Sequence, residues 1–148
     1  MNGSLVQEVR AALTAARKVR DQPRTLLFST VLSDLKNREL ELGHPLEDAD
    51  AIEVLRRAIK HRGESVEAYK AGGRQDLADR EAFEIAEIEK LLPPLVGEDV
   101  IRAAVREAMA GGAKDLGAVM GRVMPRFKGQ ADGKVVNRIV REELAAGS

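Results

Sequence analysis

Apolar residues recur at three- and four-residue spacings along almost the whole chain, which is the period of an α-helix. The first such stripe is formed by Leu5, Val9, Ala12, Ala16 and Val19. No segment of useful length alternates between apolar and polar residues, as a half-buried strand would. The pattern therefore predicts an all-α, multihelical fold.

Turn-forming residues divide the first 93 residues into about four helices. The predicted spans are, in order, 4–20, 23–42, 47–71 and 75–91. Ser4 is placed to cap the first helix, and Pro23 suits the first turn of the second. Gly63 interrupts the third and can introduce a kink. The fourth should bury Ala78, Ala82, Ile85, Ile88 and Leu92.

The proline pair Pro93-Pro94 is the clearest boundary, because neither residue can donate a backbone hydrogen bond within a helix. We predict an N-terminal helical domain over residues 1–93 and a small three-helix module over residues 94–148. The three helices of that module are predicted at 99–110, 115–126 and 132–146.

Composition narrows the class of protein further. The 148 residues are 44% hydrophobic and 32% charged, which is typical of a globular chain. There is no cysteine, in keeping with a reducing compartment. No stretch is apolar enough to span a membrane, and residues 4–10 lack the apolar core of a signal peptide. We expect a cytoplasmic protein without a membrane association.

Catalytic chemistry has little support in the sequence. Phosphate-binding glycine loops, dinucleotide fingerprints, zinc-protease helices and nucleophile elbows are all missing from it. His44 sits in a helix-ending turn and His61 lies between Lys60 and Arg62. Ser29 and Ser33 of the second helix have no histidine at helical spacing to activate them. The prediction is therefore no catalytic residue, no metal site and no cofactor.

Positive charge collects in the C-terminal third of an otherwise neutral chain. Between Lys114 and Arg141 there are seven Lys or Arg residues and two acids, Asp115 and Asp132. A lesser basic cluster lies near the N-terminus, at Arg10, Arg17, Lys18, Arg20 and Arg24. Because the net charge is zero, a nucleic-acid interface would have to be a local patch.

The segment from Lys128 to Lys134 has two interpretations. Its two glycines would let backbone amides approach a phosphate at a helix start. Alternatively, it is a tight turn capped by Asp132 and surrounded by unrelated cations. The candidate nucleic-acid contacts are Arg122, Arg126, Lys128, Gly129, Gly133, Lys134, Arg138 and Arg141. Asp115, Gly117 and Asp132 are expected to be turn or cap residues.

Several stretches resemble the YqeY-like proteins, whose C-terminal part is similar to the tail of the GatB subunit of the tRNA-dependent amidotransferase. The matching stretches are 35–41, 71–78, 89–93, 114–121, 124–125 and 128–137. The family usually has a basic residue where this chain has Ala118, and often Arg where it has Gln130. Both departures reduce the number of positive charges in the expected patch.

The resemblance implies a helical N-terminal part and a small C-terminal helical module, which in GatB is thought to handle tRNA. Our first hypothesis is accordingly a tRNA- or RNA-binding accessory protein. The second is a protein–protein adaptor docking on an aminoacyl-tRNA synthetase or amidotransferase assembly. The third is a component of glutamine-dependent amide transfer, a carbon–nitrogen ligase activity that the family implies by association.

Overall fold

The structure is a computed structural model that describes residues 4–147, and within that range it is all-α, as predicted. Seven α-helices and one short 3₁₀ helix account for its regular elements over these residues. Backbone contacts divide the chain between Leu92 and Pro93 into two compact units. We call residues 1–92 unit 1 and residues 93–148 unit 2.

Unit 1 contains four helices: α1 (Ser4–Lys18), α2 (Gln22–Leu42), α3 (Asp48–Ala71) and α4 (Gln75–Glu89). Helix α1 packs on α2, and the long α3 packs on α4. Helices α1 and α2 also contact α3, so their apolar stripes meet in one core. Its most deeply buried side chains include Val6, Val9, Val31, Leu35 and Leu55.

Two local expectations for unit 1 are wrong. Ser4 is the first residue of α1 rather than its cap, and its hydroxyl donates to Asp48 Oδ2 at 2.6 Å. Helix α3 runs through Gly63 as one helix, as its predicted span implied. Ala82 is exposed, so the buried stripe of α4 is narrower than the sequence pattern indicated.

Unit 2 contains α5 (Glu98–Ala110), α6 (Leu116–Val123), the 3₁₀ helix η1 (Met124–Phe127) and α7 (Gly133–Ala146). The helix predicted at 115–126 is therefore shorter than expected. Pro125 lacks an amide donor, and the chain tightens into η1 where it occurs. The core of unit 2 is built on α5, α6 and α7, with Ile101, Val105, Val119, Val136 and Ile139 almost fully buried.

Helices α1, α3 and α5 end in the same hydrogen-bonded turn. In each, one backbone N–H donates to the carbonyl five residues earlier, and the N–H of the residue before it donates to the carbonyl three residues earlier. The residue that donates the second bond has a φ of 59° at Arg20, 73° at Gly73 and 107° at Gly112. Glycine is usual there because a side chain is strained at positive φ. Arg20 is the one non-glycine residue with positive φ between residues 4 and 147.

Candidate nucleic-acid interface

Helix α7 presents a positively charged stripe to solvent. Its buried side is formed by Val136, Ile139 and Val140. Lys134, Arg138 and Arg141 follow one another at spacings of four and three residues, which places them on the opposite side. All three are exposed. The stripe, here called the α7 stripe, extends about 10 Å along the helix at 1.5 Å per residue.

The members of the α7 stripe differ in how far their charge is compensated. Lys134 forms no ion pair within residues 4–147. Arg141 Nε donates to the side-chain oxygen of Asn137 at 2.8 Å, which leaves its charge uncompensated. Arg138 lies 2.7 Å from both Glu98 and Glu142, and these carboxylates raise the pKa of its guanidinium. Lys134 and Arg141 are therefore the members most available to an anion.

Two other predicted contacts serve different surfaces. Arg122 Nη1 donates to the backbone carbonyls of Ala108 and Gly111, at 3.3 and 3.0 Å, and so satisfies the C-terminal end of α5. Arg126 lies 3.1 Å from Glu107 of α5. Neither cation extends the α7 stripe, so the structure divides the predicted patch between separate surfaces.

The turn before α7 has the geometry of a capped helix start. Gly129 has a φ of 73°, and Lys128 before it is exposed. Asp132 is the N-cap of α7, accepting a hydrogen bond from the Lys134 amide at 2.9 Å, and Gly133 is the first helical residue. The N-cap is the one that the capped-turn interpretation expects, and the Asp132 carboxylate occupies the Lys134 amide, so a phosphate contact of this segment stays a prediction.

The other two expected turn residues lie at the start of α6. Asp115 is its N-cap and accepts from the Ala118 amide at 2.8 Å. Gly117 is exposed in the first turn, and a Cβ there would make ordinary contact with the Asp115 carboxylate at 3.5 Å. Neither residue contacts the α7 stripe through a hydrogen bond in the described structure.

A network of ion pairs joining α5 to α7 was missed by the sequence reasoning. Glu143 is 8% exposed, and its carboxylate lies 2.9 Å from Arg102 and 3.1 Å from Arg106. Arg102 also reaches Glu142 at 2.8 Å. Arg106 and then Arg102 lower the pKa of Glu143, since both stabilise the ionised carboxylate. Paired in this way, the acid is accommodated at the edge of an apolar core.

These acids reduce the charge imbalance inferred from the sequence. Counting from Lys114 to Arg141 stops just before Glu142 and Glu143, and it leaves out the acids of α5. Unit 2 as a whole has nine Lys or Arg residues against seven Asp or Glu residues. The i,i+4 spacing of Arg138 and Glu142 was the sequence signal that could have revealed part of this pairing.

The two histidines lie in different parts of unit 1, and each interacts with a close neighbour in the sequence. His44 Nδ1 donates to the neighbouring Pro45 carbonyl at 2.9 Å in an exposed turn, and His61 Nδ1 lies 3.8 Å from Glu64. Residues 4–147 contain no cluster of three or more His, Asp or Glu side chains that could hold a metal ion. Over the same residues no helix has the length and apolar character needed to cross a membrane.

The described residues form an all-α protein of two helical units, with ion pairs between helices and a basic face on α7. The sequence pattern of the Yqey-like protein family matches residues 6–144. The chain therefore belongs to the Yqey-like protein family, which confirms the resemblance noted in the sequence.

Two relatives illustrate where similar sequences occur. Altered inheritance of mitochondria protein 41, mitochondrial, from Pyrenophora tritici-repentis is 25% identical over 148 residues, covering 96% of this chain and 82% of that protein. A subunit of the glutamyl-tRNA(Gln) amidotransferase of Thermococcus sibiricus is 34% identical over 58 residues, covering 39% of this chain and 8% of that protein. The first relative is named as mitochondrial, so the expected cytoplasmic location stays a prediction.

Proposed function

We propose that this chain is an RNA-binding accessory protein whose unit 2 contacts the phosphate backbone through the α7 stripe. The observation that carries the proposal is the alignment of Lys134, Arg138 and Arg141 on the solvent side of one helix. Exposed cations at this spacing can neutralise successive phosphates and release their counterions.

The class of RNA is suggested by the relatives. The amidotransferase relative is named for glutamyl-tRNA(Gln), and it matches 58 residues of this chain. We therefore take tRNA as the first ligand to test. A synthetase or amidotransferase assembly acting on the same tRNA would be the natural protein partner.

Recognition should depend on the backbone and shape of the RNA rather than on its bases. Phe127 is the single aromatic residue of unit 2, and it is 7% exposed in the core. No aromatic ring of unit 2 is therefore presented for base stacking in the described structure. Contacts to phosphate and sugar remain, and these position a protein without reading sequence.

The test is a titration of the full chain with deacylated tRNA at several salt concentrations. The variant is Lys134→Ala/Arg141→Ala. The matched control is Arg57→Ala/Lys60→Ala, which removes two exposed and unpaired cations from α3. We expect the stripe variant to lower the salt slope by about one for each lost phosphate contact, while the control leaves it unchanged.

Equal slopes for the wild type and the stripe variant would reject the α7 stripe as the contact surface. Absence of tRNA binding at low salt would reject the function itself. In that case the adaptor hypothesis is tested by copurification from nuclease-treated lysate, where a partner held by protein contacts persists.

A further inference from the structure

Unit 1 carries a second group of cations, on α1 and the turn that follows it. These are Arg10, Arg17, Lys18 and Arg20, here called the α1 basic face. All four are exposed, and none forms an ion pair within residues 4–147. In this respect they differ from Arg126 and Arg138 of unit 2, whose charges are compensated by carboxylates.

Two of these cations are aligned along α1, whereas Lys18 leaves the helix about 100° from Arg17 and Arg20 lies beyond the helix end. Arg10 and Arg17 are seven residues apart, so their side chains leave α1 within about 20° of each other and about 10 Å apart along the axis. Thr14 lies between them and is exposed. Glu8 is the one acid between residues 4 and 20, and the helical period puts it on the opposite side of α1. The side of α1 that carries Arg10 and Arg17 therefore has no acid of this helix, while Asp21, directly after Arg20, pairs with Arg24.

Arg20 adds an observation that helix stability does not explain. It occupies, at positive φ, the position that Gly73 and Gly112 occupy in the equivalent turns after α3 and α5. A glycine would relieve the strain there. Cations in the last turn interact favourably with the helix dipole, which accounts for Arg17 and Lys18. That effect does not require an arginine in the strained position, nor does it reach Arg10.

We infer that the α1 basic face binds RNA phosphates and forms a second contact surface, on unit 1. Arg10 and Arg17, about 10 Å apart along one side of the helix, match a repeating phosphate backbone. Val19, between Lys18 and Arg20, is 74% exposed, and an apolar side chain flanked by cations is also what a bilayer accepts, so vesicle binding is the competing outcome of the test. The inference relies on the proposed function for the identity of the polyanion alone, because its residues are entirely separate from the α7 stripe.

The test uses the full chain and a fluorescent uridine oligonucleotide, titrated over a range of salt concentrations. The first variant is Arg17→Ala/Lys18→Ala, with Arg57→Ala/Lys60→Ala as the matched control. The second is Arg20→Gly, which removes the charge and the strain together. We expect the salt slope to fall by about 0.7 for each lost contact in both α1 variants. The melting temperature of Arg20→Gly should equal or exceed that of the wild type.

A lower slope in a variant that folds at least as stably as the wild type cannot be attributed to unfolding. Unchanged slopes in both α1 variants would overturn the inference, whatever Lys134→Ala/Arg141→Ala does. Conversely, an effect of the α1 variants without one of the α7 variant would sustain the inference and reject the α7 stripe.

Two further titrations test the choice of polyanion. One uses vesicles of phosphatidylcholine and phosphatidylglycerol, and the other uses polyglutamate. If the α1 variants weaken binding to either of these while RNA binding is unchanged, the surface serves a membrane or an acidic protein and the inference is wrong.

Discussion

Arg138 Nη2 lies 2.7 Å from Glu98 Oε1, so the central cation of the α7 stripe is held by the first residue of α5. Glu142, one turn further along α7, lies equally close to the other terminal nitrogen. Arg138 can contact a phosphate only by exchanging these carboxylates for it. The same acids thus stabilise the packing of α5 on α7 and limit the positive charge of the stripe.

Removing the Glu98 carboxylate should strengthen RNA binding. In Glu98→Gln one of the two partners of Arg138 loses its charge, and the guanidinium becomes more available to a phosphate. We expect a higher tRNA affinity and a salt slope steeper by up to about one. Glu107→Gln is the control, since it makes the same charge change beside Arg126 on another surface. An equal gain in both variants would show that net charge, and not Arg138, is responsible.

The α5–α7 network should make unit 2 sensitive to acid. The pKa of Glu143 is lowered from its ordinary value of 4.5 by Arg106 and Arg102, so the folded chain protonates this group less readily than the unfolded chain does. Its contribution to stability is complete above about pH 5 and is lost as the pH falls through 4.5 towards the lowered pKa.

The corresponding variant is Glu143→Gln, compared with the wild type by urea unfolding at pH 7 and at pH 3. We expect the variant to be less stable at pH 7, because two guanidinium groups lose their carboxylate. The difference should shrink at pH 3, because below 4.5 the unfolded wild-type chain holds a proton on this carboxyl and must release it to form the ion pairs. A constant difference at both pH values would contradict this account of the network.

The core of unit 2 should depend strongly on Ile139. Its side chain is fully buried between α7 and its neighbours, so Ile139→Ala removes apolar contacts and leaves a cavity. We expect a loss of about 2–5 kcal/mol in the free energy of unfolding. Val100 of α5 is 47% exposed, and Val100→Ala should change stability by less than about 0.5 kcal/mol. Similar losses in both variants would mean that the assigned core is wrong.

The strained turn after α1 predicts opposite effects at two equivalent positions. Arg20→Gly relieves positive φ and should stabilise unit 1 by about 1 kcal/mol. Gly73→Ala introduces the same backbone strain after α3 and should destabilise unit 1 by about that amount. No steric clash adds to this strain, because the new Cβ would meet no atom within 4 Å. Thermal unfolding of both variants checks the pair. Destabilisation by Arg20→Gly would show that the arginine side chain supports the fold.

The helices could be predicted from the sequence because their cause is local. The spacing of residues such as Val136, Ile139 and Val140 identifies α7 and its buried side without any tertiary information. The shortening of α6 was also signalled locally, by Pro125, although the sequence reasoning extended the helix past it. The predicted span of the third helix ran through Gly63, and α3 is helical there.

The candidate interface could be predicted only in part, because ion pairing is a property of the fold. Glu98 is forty residues before Arg138 in the sequence, and it neutralises this cation only when α5 packs on α7. The same is true of Glu107 and Arg126. The sequence identified where cations are concentrated, whereas the three-dimensional arrangement determines which of them remain available to an anion.

The most direct test of the central claim is the salt dependence of tRNA binding by the unmodified chain. If the α7 stripe contacts the phosphate backbone, the logarithm of the association constant falls linearly with the logarithm of salt concentration. Lys134 and Arg141 alone should give a slope of about −2, and the α1 basic face should make it steeper. A slope near zero, or no measurable binding at low salt, would contradict the account.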